Sequence, residues 1–403
     1  MPVVNTNHTL SKGKRPLAVD EDDGGGLAES SKKKKRSKSA AHVHEEGNAD
    51  DDDESSETTR TSLICETLLN MSSKPVDNID ERDGVEAVVA ALQRHVHSAD
   101  VKHQACVALR NLAAANEENR ARVVVSGGVE AVVAAMQRHG SHAGVQQQAC
   151  GALSHLAITG EHDARIVDSG GVEAVVAAMK RHGSHAGVQH QACAALHNLA
   201  FHEENAARVV DSGGVEAVVA AMKRHGSHTD VQHQACMALR ELAVDEENDA
   251  RIVVSGGVEA VVAAMKRHGS HAGVQTEACA ALCNLAHEEK NRARIGDSGG
   301  VEAVVAAMKR HGSHAGVQTE ACGALRNLAV NEENRARIIV DLGGVEALVA
   351  AMKRHGSHAG VQTEARAALR NLSRNAEIRA RIVDSGGVDA LPTATTPPPP
   401  PPQ

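Results

Sequence analysis

The chain has 403 residues, and 43 lysines and arginines against 52 aspartates and glutamates give a formal net charge of −9 at pH 7. This acidic balance argues against a general affinity for nucleic acid, and no apolar run approaches the ~20 residues that span a bilayer. The N-terminus lacks the apolar core of a signal peptide, and Pro2 stands where N-myristoylation requires glycine. We expect a cytoplasmic or nuclear protein, or one found in both compartments, with no membrane anchor and no specific nucleic-acid partner.

Residues 1–60 show segregated charge and no helical periodicity. An acidic stretch covers 50–54, and the basic cluster consists of Lys32, Lys33, Lys34, Lys35, Arg36 and Lys38. Because such a segment buries too little apolar surface to offset its ordering entropy, 1–60 is predicted to be a disordered tail. The basic cluster fits a nuclear-localisation signal for importin, although a flexible cationic run also suits nonspecific contact with phosphates.

Two further segments flank the periodic part of the chain. In 61–82, the stretch Ser62–Met71 offers a short amphipathic face, which predicts an N-terminal helical cap. Residues 392–403 include six consecutive prolines and predict an extended, Pro-rich disordered tail. Every proline lies outside Val76–Leu391, as uninterrupted helices require.

A string that begins Gly-Gly-Val-Glu-Ala recurs between these flanks. Its second glycine falls at Gly84, Gly128, Gly171, Gly214, Gly257, Gly300, Gly344 and Gly387, in steps of 43 or 44 residues. This period indicates a solenoid, because each unit can bury its apolar face only by stacking on its neighbours. The predicted solenoid covers 83–391.

Each unit shows the pattern of three helices. In the third unit, the apolar stripe of a middle helix consists of Val172, Val175, Val176 and Met179. A longer helix extends from Val188 to Leu199, and a short acidic helix, Glu203 to Asp211, completes the cycle. We expect Gly183 to end the middle helix in the left-handed conformation. The paired glycines predict a sharp corner where the short helix closely approaches the next middle helix.

A short helix, a Gly-Gly corner, a middle helix and a long helix in about 43 residues resemble the armadillo repeat. The resemblance covers roughly Val76–Val388. It implies an all-α fold, a right-handed α-α superhelix of about seven three-helix repeats plus a partial C-terminal repeat. HEAT repeats, the alternative, usually have two helices and no such corner. Armadillo units often carry Pro after the corner, whereas this chain has Glu, which still suits a helix N-terminus.

The resemblance also implies a concave ladder of long helices whose asparagines hydrogen-bond the backbone of an extended peptide. The matching positions here are Asn111, His155, Asn198, Glu241, Asn284, Asn327 and Asn371. The candidate groove further includes the charged residues Glu277, Glu320, Glu364, Arg326 and Arg370. Side-chain amides donate and accept, which suits a peptide backbone. In the alternative, these asparagines only tie neighbouring helices together.

The units differ most around this ladder. One turn before each ladder residue stand Val107, Gly151, Ala194, Met237, Ala280, Gly323 and Ala367. Such variation indicates a partner-specific surface, or equally drift at tolerant exposed sites. Importin-alpha, another armadillo protein, carries a Trp row there that grips basic signals, so the missing Trp row argues against a receptor of that kind.

Cysteine and histidine also recur with the period. Six cysteines occupy one position of successive units, namely Cys106, Cys150, Cys193, Cys236, Cys279 and Cys322. Because stacked helices lie ~10 Å apart, too far for a disulfide, we expect reduced core residues. Arg366 replaces the seventh, which is costly unless its side chain reaches solvent or a carboxylate. Histidine pairs such as His182 and His185 could bind a metal or sense pH. Because no further ligand stands nearby, we interpret them as partly cationic side chains at the C-terminal end of a helix.

No phosphate-binding loop, zinc-protease motif or nucleophile with an orienting base is evident, so we expect no enzyme and no cofactor. The leading hypothesis is an armadillo scaffold or adaptor that binds a protein or an extended peptide along the groove. The alternatives are an importin-alpha-like carrier of basic cargo and a spacer without a groove ligand. Two further hypotheses are that the basic cluster folds back onto Glu277, Glu320 and Glu364, and that the truncated C-terminal end frays from about residue 374 or pairs with a second molecule.

Overall fold

The structure is a computed structural model that describes Thr67 and residues 81–158, 160, 162–340, 343–373, 376–384 and 386. All of these residues belong to the unit Asp52–Gln403. The predicted basic cluster, most of the predicted 61–82 cap and the Pro-rich tail lie outside the described residues.

The described residues form 21 helices and no strand, and the helices are of three kinds. The middle helices are α1 (Glu81–Arg94), α4 (Gly128–Arg138), α7 (Gly171–Arg181), α10 (Gly214–Arg224), α13 (Gly257–Arg267), α16 (Gly300–Arg310) and α19 (Gly344–Arg354). The long helices are α2 (Ala99–Ala115), α5 (Ala143–Leu156), α8 (Ala186–Leu199), α11 (Thr229–Leu242), α14 (Ala272–Leu285), α17 (Ala315–Leu328) and α20 (Ala359–Leu372). The short helices are α3 (Glu117–Val125), α6 (Asp163–Asp168), α9 (Glu203–Asp211), α12 (Glu246–Val254), α15 (Glu289–Asp297), α18 (Glu332–Val340) and α21 (Ala376–Asp384). The prediction of an all-α solenoid built from three-helix repeats is confirmed.

The long helices form the spine of the array, since each packs against the long helices of the neighbouring repeats more extensively than the middle helices pack together. Val172 and Val175 of α7 and Leu196 and Leu199 of α8 are fully buried. The apolar stripes predicted from the sequence therefore face the core. The six repeat cysteines are buried and free, as expected.

The Gly-Gly corner forms as predicted, because its two glycines meet different requirements. Gly170 has a φ of 78°, in the left-handed region. At Gly171, a Cβ atom would lie 2.6 Å from Ile166 Cγ2 and 2.7 Å from the Ile166 carbonyl oxygen. The first glycine therefore turns the chain, and the second lets the short helix touch the next middle helix.

The prediction of a left-handed glycine at the end of the middle helix is wrong. Helix α7 ends at Arg181, its C-cap His182 has a φ of −106°, and Gly183 is not among the glycines with positive φ. The buried Gln189 amide of α8 instead donates to the carbonyls of Met179 and His182, at 3.1 and 3.0 Å. This side chain satisfies helix-end carbonyls, so a left-handed cap is not needed.

At five of the Gly-Gly corners, the glutamate that follows joins one repeat to the next. Glu173 Oε1 accepts hydrogen bonds from Arg208 Nε at 2.6 Å and from Ser212 Oγ at 3.3 Å. Equivalent ion pairs join Glu130 to Arg165, Glu216 to Arg251, Glu259 to Arg294 and Glu346 to Arg381. Their side chains are about half exposed, so solvent screens each pair and its contribution to stability is small. Repeat contacts thus explain a glutamate where armadillo units often have proline.

Each histidine of the recurring pair makes its own structural contact. His182 Nε2 lies 2.7 Å from the Gly140 carbonyl oxygen of the preceding repeat. His185 caps α8, because its Nδ1 accepts from Val188 N at 3.2 Å. Among the described residues, no group of three His, Cys, Asp or Glu is arranged to hold a metal. The first histidine of each pair ties two repeats together, and the second caps a long helix in every pair except that of His228.

Arg366, at the cysteine position of α20, is exposed. No long helix follows α20 in the described part of the chain, so this position is not covered. Arg366 thus reaches solvent, which is one of the two ways in which the cost of a buried arginine was expected to be avoided. The following helix, α21, buries Ile378 and Ile382, and fraying from about residue 374 stays a prediction. No helix in the described residues is both long and apolar enough to cross a membrane.

Candidate functional site

The seven candidate ladder residues lie on the last turns of the seven long helices. We call the surface around them the ladder face; it is defined by Asn111, His155, Asn198, Glu241, Asn284, Asn327 and Asn371. All seven side chains are half-buried. Because successive long helices stack, these side chains form one row along the array.

The ladder asparagines hold neighbouring repeats together through their amide nitrogens. Four Nδ2 atoms donate to a long-helix carbonyl of the preceding repeat: Asn198 to Ser154 at 2.8 Å, Asn284 to Arg240 at 3.0 Å, Asn327 to Cys283 at 2.9 Å and Asn371 to Arg326 at 2.9 Å. These bonds support the tying role that the sequence left open. They use the donor side of the amide, and the acceptor Oδ1 is the atom of the side chain that suits a ligand N–H.

Where asparagine is replaced, the ladder position has different electrostatics. His155 is half-buried, and its pKa is lowered by burial and by the charges of Arg110 and Arg120. The imidazole is therefore neutral near pH 7. Glu241 instead forms an ion pair with Arg240, the preceding residue on α11.

Charged side chains from adjacent repeats meet on the C-terminal half of the ladder face. Arg240 forms an ion pair with Glu277 of the next repeat as well as with Glu241. Burial raises the pKa of Glu277, an effect that the charge of Arg240 partly opposes. Two repeats further along, Arg326 Nη1 lies 2.6 Å from Glu364 Oε2.

The structure thus brings together four of the predicted charged residues and one that sequence reasoning missed. Arg240 precedes a ladder residue as Arg326 and Arg370 do, and that shared register was the available signal. Glu320 lies half-buried and close enough that its charge raises the pKa of Glu277. Arg370 lies apart from these pairs, exposed on α20.

The N-terminal half of the face has neutral imidazoles instead. Burial lowers the pKa of His197 to about 4 and also lowers the pKa of His190. At Gly151, a Cβ atom would lie 2.8 Å from both Arg110 Cδ and Gln191 Oε1. Side chains of the adjacent repeats therefore fill the space beside Gly151.

The His and Cys residues that share a long-helix face are not arranged for catalysis. Cys106 and Cys193 are completely buried, and burial raises the pKa of each thiol to about 12. A thiol that stays protonated is a poor nucleophile. The described residues around these cysteines offer packing, not acid-base chemistry.

Comparisons of the chain with known proteins agree on one family. The model of the LRRK2 ARM repeat matches residues 59–247 and 210–391. Comparison with curated proteins found no match. The chain is 30% identical to an engineered protein of known structure, with a TM-score of 0.62, over 83% of this chain and 90% of that one.

Two more distant structures share the fold. One comes from work on a phosphorylation switch that controls the interaction between cadherin and β-catenin; it is 19% identical over 82% of this chain and 61% of that chain, with a TM-score of 0.66. The other is a designed armadillo repeat protein in complex with the peptide (KR)4; it is 18% identical over 60% of this chain and 99% of that chain, with a TM-score of 0.53.

Proposed function

This chain belongs to the family of the LRRK2 ARM repeat, and we propose that it is a non-enzymatic scaffold that binds an extended peptide or partner protein along the ladder face. The observation that carries the proposal is the row of half-buried polar side chains on stacked long helices, in which asparagine recurs and is replaced at His155 and Glu241. Peptide binding by a designed armadillo protein supports the same use of the fold.

The ligand would contact those polar groups of the ladder face that do not already bind a neighbouring repeat. The Oδ1 atoms of Asn198, Asn284 and Asn371 accept backbone N–H groups of the ligand, irrespective of its side chains. Carboxylates outnumber guanidinium groups along the C-terminal half, since Glu241, Glu277, Glu320 and Glu364 face Arg240, Arg326 and Arg370. The ligand segment that lies there is therefore polar or basic.

Charge reversal on the face tests this proposal. Proximity labelling in cells compares the intact protein with Glu320→Lys, and Asp168→Lys is the matched control, because Asp168 is exposed at the end of a short helix. We expect Glu320→Lys to lose partners that Asp168→Lys retains, with both variants equally helical by circular dichroism. Unchanged partners in Glu320→Lys would show that this face is not the binding surface.

The importin-like alternative makes a different prediction. At Gly151, side chains of adjacent repeats occupy the space that an aromatic side chain would need to clamp a lysine stem. Capture of a lysine-rich signal peptide by the purified protein would favour the carrier, whereas the scaffold needs no such capture. If neither partners nor peptides respond to substitution of Asn284 and Asn327, the array is a spacer.

The tail hypotheses belong to the same proposal. A fluorescent fusion that lacks 32–38 is expected to leave the nucleus if the basic cluster directs import. For the tail folding back onto the ladder glutamates, deletion of 1–60 is expected to strengthen ligand binding at low salt. Unchanged affinity would exclude that self-blocking role.

A further inference from the structure

A row of exposed apolar side chains lies beyond the ladder face, where the long helices end. Ile158, Phe201, Val244 and Val330 each stand two residues after the end of a long helix and are 37%, 53%, 58% and 40% exposed. They share one register of the 43-residue period, and His287 takes the corresponding place between Val244 and Val330. We call these four residues the helix-end row.

The row is held in the same way in each repeat. The backbone N of Phe201 donates to the carbonyl of Asn198 at 3.3 Å, and the backbone N of Val244 donates to that of Glu241 at 3.2 Å. The same turn joins Val330 to Asn327. Because the turn repeats on stacked helices, the apolar side chains follow one another along one edge of the array.

Phe201 is the most informative member. It is the only Phe, Tyr or Trp of the chain, so the core is built without such rings while this one is more than half exposed. Its ring lies edge-on to His202, with 5.5 Å between the ring centroids. Exposed, positioned aromatic side chains are typical of interaction surfaces.

Exposed carboxylates flank the row. The short helices that follow Phe201, Val244 and Val330 each begin with an exposed glutamate pair, namely Glu203 with Glu204, Glu246 with Glu247, and Glu332 with Glu333. An apolar row beside acidic pairs complements a ligand with apolar residues and basic neighbours.

The spacing of the row suits a helical ligand. Packed helices lie ~8–10 Å apart, and seven residues of an α-helix rise ~10.5 Å. A helix with one apolar residue in every seven thus places successive side chains on successive repeats. In a β-strand, positions three residues apart cover a similar length but point to opposite faces.

We propose that the helix-end row is a docking surface for an amphipathic helix of a partner protein, with an apolar residue every seven positions and lysines or arginines beside them. Phe201 and Val244 are the central contacts, and the glutamate pairs contact the basic residues. This surface is distinct from the ladder face and does not depend on a ligand there.

A synthetic peptide tests the proposal. The probe is a fluorescein-labelled helix of about three heptads with leucine once per heptad between lysines, and the control has the same composition with the leucines out of register. We expect the full chain to bind the first peptide, with affinity that falls as salt is raised. Phe201→Ser and Val244→Ser are each expected to weaken binding about tenfold.

Matched variants make the result specific. Val254→Ser removes a side chain that is 85% exposed but stands at the other end of its short helix, so it is expected to leave binding unchanged, as is Glu320→Lys on the ladder face. Equal binding of both peptides, or an equal loss in Val254→Ser, would overturn the proposal. So would binding of a proline-rich peptide in place of the helix, because polyproline II repeats every ~9 Å.

Discussion

The side-chain nitrogen of Asn327 donates to the carbonyl oxygen of Cys283, 44 residues earlier, at 2.9 Å. This bond joins the last turns of two stacked long helices, and three other ladder asparagines make the same contact. The ladder that resembles a ligand-binding row is therefore also part of the framework of the solenoid.

We expect Asn327→Ala to lower the free energy of unfolding by about 1 kcal/mol, because a half-buried hydrogen bond is lost. Urea denaturation followed by circular dichroism measures the change. Arg370→Ala, at an exposed position of the next long helix, is the control and is expected to have little effect. Equal stability of the two variants would show that the asparagine bond does not hold the repeats.

Substitution of glycines tests the corner. Gly171→Ala puts a Cβ against Ile166, and we expect destabilisation of roughly 2 kcal/mol or more, since overpacking forces the helices apart. Gly183→Ala is the control, because its Cβ would be 3.7 Å from the nearest atom and its φ is not positive. That variant is expected to be neutral or slightly stabilised. Thermal unfolding of both variants decides the matter.

Asp163 predicts a pH dependence of stability. Its carboxylate is 1% exposed, neither oxygen has a hydrogen-bond partner, and burial raises its pKa to about 7. The nearest basic group, His202 Nε2, lies 3.8 Å from Oδ2. The folded state holds the proton more tightly than the unfolded chain does. The protonated carboxyl therefore adds its full share to the free energy of unfolding below about pH 4, and this share is lost as the pH rises to about 7.

Asp163→Asn removes this titration. We expect the variant to be more stable than the wild type at pH 8, by roughly 2–4 kcal/mol, and the difference to shrink as the pH falls to 4. Asp168→Asn, an exposed position on the same helix, is expected to show no such trend. A difference that is constant between pH 4 and pH 8 would contradict the assignment.

The histidine caps predict a tolerant substitution. His271 Nδ1 accepts from Val274 N at 3.1 Å at the start of α14. We expect His271→Asn to keep the cap and the stability of the protein, whereas His271→Ala is expected to cost about 1 kcal/mol. Thermal melts of the two variants give the comparison, and equal losses would mean that the imidazole stabilises the helix by other contacts.

Buried cysteines are expected to resist modification. Burial raises the pKa of Cys193 to about 12, so a thiol reagent is expected to label it only after unfolding. Mass spectrometry of the protein treated with iodoacetamide, with and without denaturant, measures this. Rapid labelling of Cys193 in the folded protein would contradict the buried position.

Much of the fold could be predicted because the apolar pattern within each helix and the repeat period of the chain indicate the same helices. The stripe that contains Val172 and Val175 defines which side of a helix is buried, and the glycine pair defines where the chain turns. The end of the middle helix was mispredicted, because Gln189, ten residues from Met179, supplies the cap. A side chain that reaches across helices leaves no short-range signal at the residues that it caps.

The candidate site was less accessible to sequence reasoning. The position of Asn284 could be identified from the period, but its bond to the carbonyl of Arg240 depends on how closely two helices stack. The ion pair between Arg240 and Glu277 was missed for the same reason, since its members come from different repeats.

By itself, the sequence determined the repeat, its three helices and their apolar faces, because these depend on the identity and spacing of residues within some 43 positions. Only the tertiary structure decided which polar atoms already have a hydrogen-bond partner, as the amide nitrogen of Asn327 does. It also decided which apolar side chains remain exposed to solvent, as that of Phe201 does. Those outcomes depend on distances between side chains of adjacent repeats, and stacking sets these distances when the units pack together.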